Sequence, residues 1–135
     1  MKRSPEDVTE TELAMLQVLW DRGTATRRQV TDALYPQGGA AHYATVQKLL
    51  ERLESKGFAR HTRETGGVLV FSPTMGREQF IALHLRGVAE RLCGGSLTPL
   101  LMNLVRSKPL SERELDELQQ LIDQQRRNKG RGKGG

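Results

Sequence analysis

The hydrophobic pattern of this chain changes its period at Lys56-Gly57. Before this point, apolar residues recur every three or four positions, which is typical of amphipathic helices. After it come two short segments of strand-forming residues, 58–63 and 68–72, joined by four residues that include Gly66-Gly67. Such a pair of segments predicts a β-hairpin. Helices therefore precede a hairpin, and no glycine-rich phosphate loop or alternation of strands and helices indicates another class of fold.

Three short helices are predicted before the hairpin. The first two begin at capping boxes, in which a hydroxyl and a carboxylate or amide three residues later each bind a free backbone N–H group. The boxes are Thr9 with Glu12 and Thr26 with Gln29. The helices run over about residues 10–21, from Thr26 to the Tyr35-Pro36 pair, and over about residues 42–55. Three helices followed by a hairpin is the element order of a winged helix-turn-helix, so we expect a mainly α fold with a small β-hairpin.

The rest of the chain is predicted to hold three more helices and a tail. The helices are expected over about residues 77–92, after the Gly94-Gly95 break with Ser96 or Thr98 as cap, and from a third box of Ser111 and Glu114 to about Gln125. The predicted domains are a winged helix over residues 1–76, a helical dimerisation region over 77–125 and a disordered basic tail over 126–135.

The C-terminal helices carry more apolar side chains than so short a segment buries within itself. They either fold back on the winged helix or pack against a second copy of the chain, and we favour a two-fold symmetric homodimer. A homodimer also suits DNA binding, because two recognition helices about one duplex turn apart read a palindrome. The side chains expected at the dimer interface are Leu100, Leu101, Leu104, Leu115, Leu118 and Ile122.

The net charge of +5 comes from the C-terminal tail. Residues 126–135 hold five of the 21 lysines and arginines and no acidic residue, so the rest of the chain is neutral overall. The basic balance alone therefore does not predict nucleic-acid binding. Within the neutral part, residues 42–63 carry five basic residues against two acidic ones. Positive charge thus concentrates on the third predicted helix and the hairpin.

The third predicted helix has an apolar side and a polar side. A helix in the major groove needs short polar or amide groups for base edges and longer cations for phosphates. The predicted contacts are Tyr43, Thr45, Gln47 and Lys48 to bases, and Arg52 with Lys56 to phosphates. Arg60 and Arg63 flank the hairpin tip and are the predicted wing contacts to the DNA backbone. The alternatives are an ordinary solvated face, or an interaction module whose third helix packs against a protein partner.

Other functions lack the residues that they need. The single cysteine, Cys93, excludes an internal disulfide and a zinc site with more than one thiolate from this chain. The three histidines are not at metal-site spacing, and no Ser-His-Asp or Cys-His arrangement is evident, so we predict no enzyme, no metal and no cofactor. The longest mostly apolar run has nine residues against the ~20 that cross a bilayer, and the first residues do not resemble a secretory signal. We expect a cytoplasmic protein without a membrane partner.

Seven short motifs occur in a fixed order along the chain. They are Leu19-Trp20-Asp21-Arg22-Gly23, Tyr43-Ala44-Thr45-Val46, Leu49-Leu50-Glu51-Arg52-Leu53, Lys56-Gly57, Phe71-Ser72-Pro73, Leu92-Cys93-Gly94-Gly95-Ser96-Leu97 and Leu110-Ser111-Glu112-Arg113-Glu114-Leu115. Taken in this order, they resemble the penicillinase repressor (BlaI/MecI/CopY) family over about residues 6–125. The resemblance implies a dimeric winged-helix repressor on a palindromic operator. It also implies that the operator is read by Tyr43, Thr45, Gln47, Lys48 and Arg52, with Arg60 and Arg63 in the wing.

The resemblance has consequences for release from DNA. In β-lactam-responsive members of that family, a sensor-activated protease cuts the dimerisation region after an asparagine that precedes a bulky apolar residue. Asn103-Leu104 resembles this cleavage site, with leucine in place of the usual aromatic residue. Copper-responsive members carry C-terminal Cys-x-Cys motifs, which this chain does not have. Release by a protease that cuts at Asn103-Leu104 is therefore one hypothesis, beside release by a ligand or by competition, and the resemblance does not extend to copper sensing.

Overall fold

The computed structural model describes residues 3–133 and divides into two units, with the boundary after Gly95. In the first unit, the elements in chain order are a 3-10 turn (Pro5–Asp7), α1 (Glu10–Arg22), β1 (Ala25–Thr26), α2 (Arg27–Leu34), α3 (Ala40–Ser55), β2 (Ala59–Arg63), β3 (Leu69–Pro73) and α4 (Arg77–Leu92). In the second unit they are α5 (Thr98–Ser107) and α6 (Glu112–Lys133). The predicted helices and hairpin are present, and the first unit is a winged helix-turn-helix.

Both predicted capping boxes of the first unit are confirmed. The Glu12 backbone N–H donates to Thr9 Oγ1 (3.2 Å), and the Thr9 backbone N–H donates to Glu12 Oε1 (2.9 Å). Thr26 and Gln29 form the same pair of bonds at the start of α2. Helix α1 ends at Gly23, whose φ of 84° is a backbone conformation that favours glycine. Local hydrogen bonding therefore sets where α1 and α2 begin.

The hairpin is part of a three-stranded antiparallel sheet in the order β1-β3-β2. Strands β2 and β3 pair so that His61 lies opposite Phe71, and their connection passes through Gly66 and Gly67, with φ of 87° and 84°. Sequence analysis does not predict β1, which pairs Ala25 with Phe71. Its two residues are too few to show any alternation of polar and apolar side chains, so only its pairing with β3 defines it as a strand.

The core of the first unit lies between α1, α2, α3 and the sheet. Its fully buried side chains include Met15, Leu16, Leu19, Val30, Val46, Leu50, Leu53 and Phe58. Helix α4 adds Phe80, whose ring meets those of Trp20 and Phe58 edge to face, with centroids 5.3 and 5.5 Å away. The Trp20 indole N–H donates to the backbone oxygen of Met75 (2.9 Å). Because α4 completes this core, the first unit extends beyond the domain boundary predicted after residue 76.

Helices α5 and α6 have apolar faces that their own unit does not bury. None of residues 96–131 is buried. We call the exposed large apolar side chains of this unit the apolar set: Leu97, Leu101, Met102, Leu104, Val105, Leu115, Leu118, Leu121 and Ile122. So much exposed apolar surface on two helices is typical of an interaction site. Among the described residues, no helix is both long and apolar enough to cross a membrane.

The start of α5 differs from prediction, whereas the start of α6 agrees with it. Neither Ser96 nor Thr98 caps α5, which follows Leu97 without a side-chain hydrogen bond. Pro99 lies in the first turn instead, where its fixed φ favours a helix and its missing N–H costs nothing. At α6, Ser111 and Glu114 form the predicted box, with bonds of 3.0 and 3.1 Å.

The end of α6 also differs from prediction. The helix continues to Lys133, so residues 126–133 are helical, and the predicted disorder is wrong for them. Arginine, lysine and glutamine favour helix, and a helical glycine costs only about 1 kcal/mol, so Gly130 and Gly132 do not end α6. The predicted tail also includes Gly134 and Gly135, which lie outside the described residues.

Candidate nucleic-acid interface

Helix α3 presents one side to the core and the other to solvent. Val46, Leu50 and Leu53 are fully buried on the inner side. The exposed residues of the outer side include Ala44, Thr45, Lys48, Glu51 and Arg52. The predicted division of this helix into an apolar and a polar side is confirmed, and the polar side is free of core contacts.

A shallow depression runs along the outer side of α3. The residues that line it are Ala44, Thr45, Gln47, Lys48 and Glu51. The Thr45 hydroxyl donates to the backbone oxygen of Ala41 (3.0 Å), so its proton is used within the helix and its oxygen can act only as an acceptor toward a base. The structure therefore brings three of the four predicted base-contacting residues together, namely Thr45, Gln47 and Lys48.

The fourth, Tyr43, lies apart from this depression, beside α2. The guanidinium group of Arg28 sits over the Tyr43 ring, 4.9 Å from its centroid, in a cation–π contact. A cleft of about 330 Å³ opens here, and its lining residues are Thr26, Arg27, Arg28, Tyr43, Arg63, Gly67, Val68 and Leu69. This arginine cleft has three guanidinium groups and no carboxylate among its lining residues. Its chemistry suits an anion such as a phosphate.

Sequence analysis missed Arg27 and Arg28. They open α2 directly after the Thr26 cap, and the first turn of α2 has no acidic residue. The positive end of a helix dipole repels cations at this place and usually attracts Asp or Glu. Two arginines at this place leave a positive charge that an anion outside the helix would neutralise. That signal was available in the sequence once the capping box had been recognised.

The predicted wing arginines are exposed on β2. Arg63 donates to the backbone oxygen of Gly67 (2.9 Å), which holds its side chain at the hairpin tip. Arg60 lies opposite Ser72 and forms no ion pair with another residue of the described chain. Their exposure and charge are those that a contact to the DNA backbone requires.

Lys56, for which the sequence predicts a phosphate contact, has other partners. Its ammonium group donates to Glu12 Oε1 (2.7 Å) and to the backbone oxygen of Asp7 (2.6 Å). The whole Glu12 residue is only 1% exposed, so Lys56 neutralises a buried carboxylate. The two residues are 44 positions apart, and no local pattern reveals such a pair. The ion pair joins the start of α1 to the end of α3.

The partners of Glu12 decide its ionisation. Burial raises the pKa of its carboxyl group, but the hydrogen bonds from Lys56 and from the Thr9 backbone, together with the Lys56 charge, outweigh burial. The pKa is therefore lowered from its ordinary value of 4.5. The other carboxylate oxygen, Oε2, is buried and has no hydrogen-bond partner among the described residues. The ionised form of Glu12 thus depends on Lys56.

The remaining predicted site residues lie in the second unit. Asn103 and Leu104 are both exposed, and the bond between them lies inside α5. Of the predicted interface residues, Leu100 is half-buried. The others, Leu101, Leu104, Leu115, Leu118 and Ile122, belong to the apolar set.

In the first unit, three helices precede the hairpin, and cations are exposed on α2, α3 and β2. These features define a DNA-binding transcriptional repressor of the winged-helix class. The sequence profile of the penicillinase repressor family matches residues 8–124. The chain therefore belongs to the penicillinase repressor family. The resemblance seen in the sequence motifs is confirmed.

Two relatives match this chain over most of its length. The penicillinase repressor of Bacillus licheniformis is 26% identical over 129 residues, which cover 96% of this chain and 98% of the relative. An uncharacterized 16.5 kDa protein of Latilactobacillus sakei is 25% identical over 122 residues, covering 90% and 82%. Among solved structures, the DNA-binding domain of the repressor BlaI is 25% identical, with a TM-score of 0.45, and the match covers 57% of this chain and 90% of that one.

Proposed function

We propose that this repressor binds a palindromic DNA operator as a homodimer and reads its sequence with α3. The observation that carries the proposal is the outer side of α3, where Thr45, Gln47 and Lys48 line one depression beside the exposed Arg52. Base edges in the major groove offer donors and acceptors to such side chains, while phosphates attract the cations around them. A dimer seated on the operator would block transcription.

The cations around α3, of which Arg27 is half-buried and the others are exposed, fit contacts to phosphates. We assign base edges to Thr45, Gln47 and Lys48, and phosphates to Arg27, Arg28, Arg52, Arg60 and Arg63. We assign to Tyr43 the role of positioning Arg28, because its ring lies under the guanidinium group of that residue. Lys56 is left out of the interface, since its charge is used by Glu12.

The apolar set on α5 and α6 supports the dimer. Each of its nine side chains is at least 40% exposed, and each helix contributes at least four of them. In a two-fold symmetric dimer the same faces of both copies meet, so one patch buries its counterpart. Interfaces of this kind are more apolar than the rest of the surface. The dimer would fix the distance between the two α3 helices.

Footprinting on the DNA upstream of the gene tests the proposal. We expect one protected site whose sequence has two-fold symmetry, with little protection of a shuffled duplex at the same protein concentration. Equal protection of every sequence would contradict the assignment of α3 as a reader.

Release from the operator is proposed to follow cleavage between Asn103 and Leu104. Both residues are exposed, which supports access by a protease. Because the bond lies within α5, that helix would have to unwind locally before cleavage. Mass spectrometry of the protein after induction of its cognate system should find a fragment that ends at Asn103. Intact protein throughout induction would refute proteolytic release and leave the operator proposal standing.

A further inference from the structure

Lys48 and Glu51 place a hydrogen-bond donor and an acceptor of opposite charge side by side on α3. They are three positions apart, which puts them on the same face of a helix. Both side chains are exposed, and both line the depression on the outer side of α3. Within the described chain, neither forms an ion pair. A base edge that enters this depression therefore meets both groups.

A carboxylate is out of place on a surface that only binds phosphates. Glu51 repels every phosphate near it, and a neutral residue would serve a backbone contact better. In the major groove, the groups that favour a carboxylate are the amino donors of cytosine and adenine. Adenine presents an acceptor, N7, beside its amino group, and this acceptor repels a carboxylate. Cytosine presents the N4 amino group without an acceptor beside it on the same base.

We propose that Lys48 and Glu51 together read one G·C base pair in each half of the operator. The Lys48 ammonium donates to guanine O6 and N7, and the Glu51 carboxylate accepts from the N4 amino group of the paired cytosine. The inference rests on the proposed function and adds to it a base and a residue that the sequence analysis did not single out.

The first experiment compares base preferences. The duplex preferred by the full-length protein is selected from a random pool, and each of its base pairs is then varied in competition binding. We expect Glu51→Ala to lose about tenfold preference for G·C at one pair of symmetry-related positions. Its base preferences at all other positions should equal those of the wild type. Glu90→Ala is the matched control, because Glu90 is an exposed carboxylate on α4. It removes the same charge and should leave every preference unchanged.

The second experiment removes the amino group from the DNA. Replacing that cytosine by 2-pyrimidinone, which lacks the amino group, should weaken wild-type binding about tenfold and Glu51→Ala binding hardly at all. Thermal unfolding of Glu51→Ala should match that of the wild type, since the side chain is exposed. An equal loss for both proteins, or a Glu51→Ala preference profile identical to that of the wild type, would overturn the inference.

The outcomes separate the two proposals. A wild-type protein that selects a duplex, combined with an unchanged profile for Glu51→Ala, overturns the G·C reading and leaves the repressor proposal in place. A wild-type protein that selects no sequence from the pool overturns both.

Discussion

Lys56 and Glu12 are joined by an ion pair that lies largely out of solvent, with side chains 29% and 1% exposed. Lys56→Ala should reduce the free energy of unfolding by about 3 kcal/mol, because Glu12 would remain buried without a cation. Urea denaturation at pH 7 measures this loss. Lys129→Ala, at an exposed position of α6, is the control and should change stability by less than about 0.5 kcal/mol. Similar losses from both variants would contradict the role given to Lys56.

The same pair predicts a dependence of stability on pH. The pKa of Glu12 is lowered in the folded protein, so its ionised form contributes stability above the ordinary value of 4.5. That contribution is lost as pH falls from 4.5 through the folded pKa. The difference in unfolding free energy between wild type and Glu12→Gln should therefore shrink as the pH is lowered through this window. A difference that stays constant down to pH 3 would show that Glu12 does not titrate as described.

Removing the charge of Lys48 and removing that of Arg60 should have different effects on DNA binding. Lys48→Ala is expected to lose about 1–3 kcal/mol of discrimination between operator and shuffled duplex, because Lys48 contacts a base. Arg60→Ala should weaken binding to both duplexes alike, because phosphates carry no sequence. Fluorescence titrations with both duplexes measure the two effects. If Lys48→Ala weakens both duplexes equally, Lys48 is not a reader.

For single residues, the sequence predicts which side chains of α3 are exposed, but it does not predict the ion-pair partners of the lysines and arginines. The helical period places Thr45 and Lys48 opposite Val46 and Leu50, and the structure agrees. The partner of Lys56 comes from α1, and no periodicity connects residues so far apart. Exposure is a local property of the pattern, whereas pairing depends on tertiary contacts.

Among the elements, α4 decides where the folded unit ends. A fragment that ends at Gly95 keeps Phe80 among the rings of Trp20 and Phe58, and it should unfold cooperatively. A fragment that ends at Gly76 loses these contacts and should be less stable by about 3–5 kcal/mol, comparable with Phe→Ala in a core. Thermal unfolding followed by circular dichroism compares the two. Equal melting temperatures would show that α4 does not complete the core.

Helices that begin at a capping box could be predicted from the sequence. A strand that exists only through its pairing with another strand could not. The boxes at Thr9, Thr26 and Ser111 mark three helix starts correctly, because both partners of each box lie within four residues. Strand β1 depends on its pairing with β3, and its sequence of two residues carries no period. The end of α6 could not be predicted, because the composition of residues 126–133 carries no local signal that ends a helix.

For the whole molecule, the apolar set predicts that the chain is a dimer in solution. Leu118→Asp should shift it to a monomer, because a charge would be buried at the interface. Gln120→Asp, at an exposed polar position of the same helix, should leave the dimer intact. Sedimentation velocity distinguishes the two states. A monomeric wild-type protein, or a dimer unaffected by Leu118→Asp, would contradict the proposed interface.

The most direct test of whether α3 reads sequence is the ratio of the affinities for operator and for shuffled duplex. It is measured with the full-length protein at several salt concentrations. We expect a ratio of at least about 10³ at physiological salt. The logarithm of operator affinity should fall with that of salt at a slope of about −7 to −9, for four to five phosphates per protomer. A ratio near one at every salt concentration would contradict the account, whatever the slope.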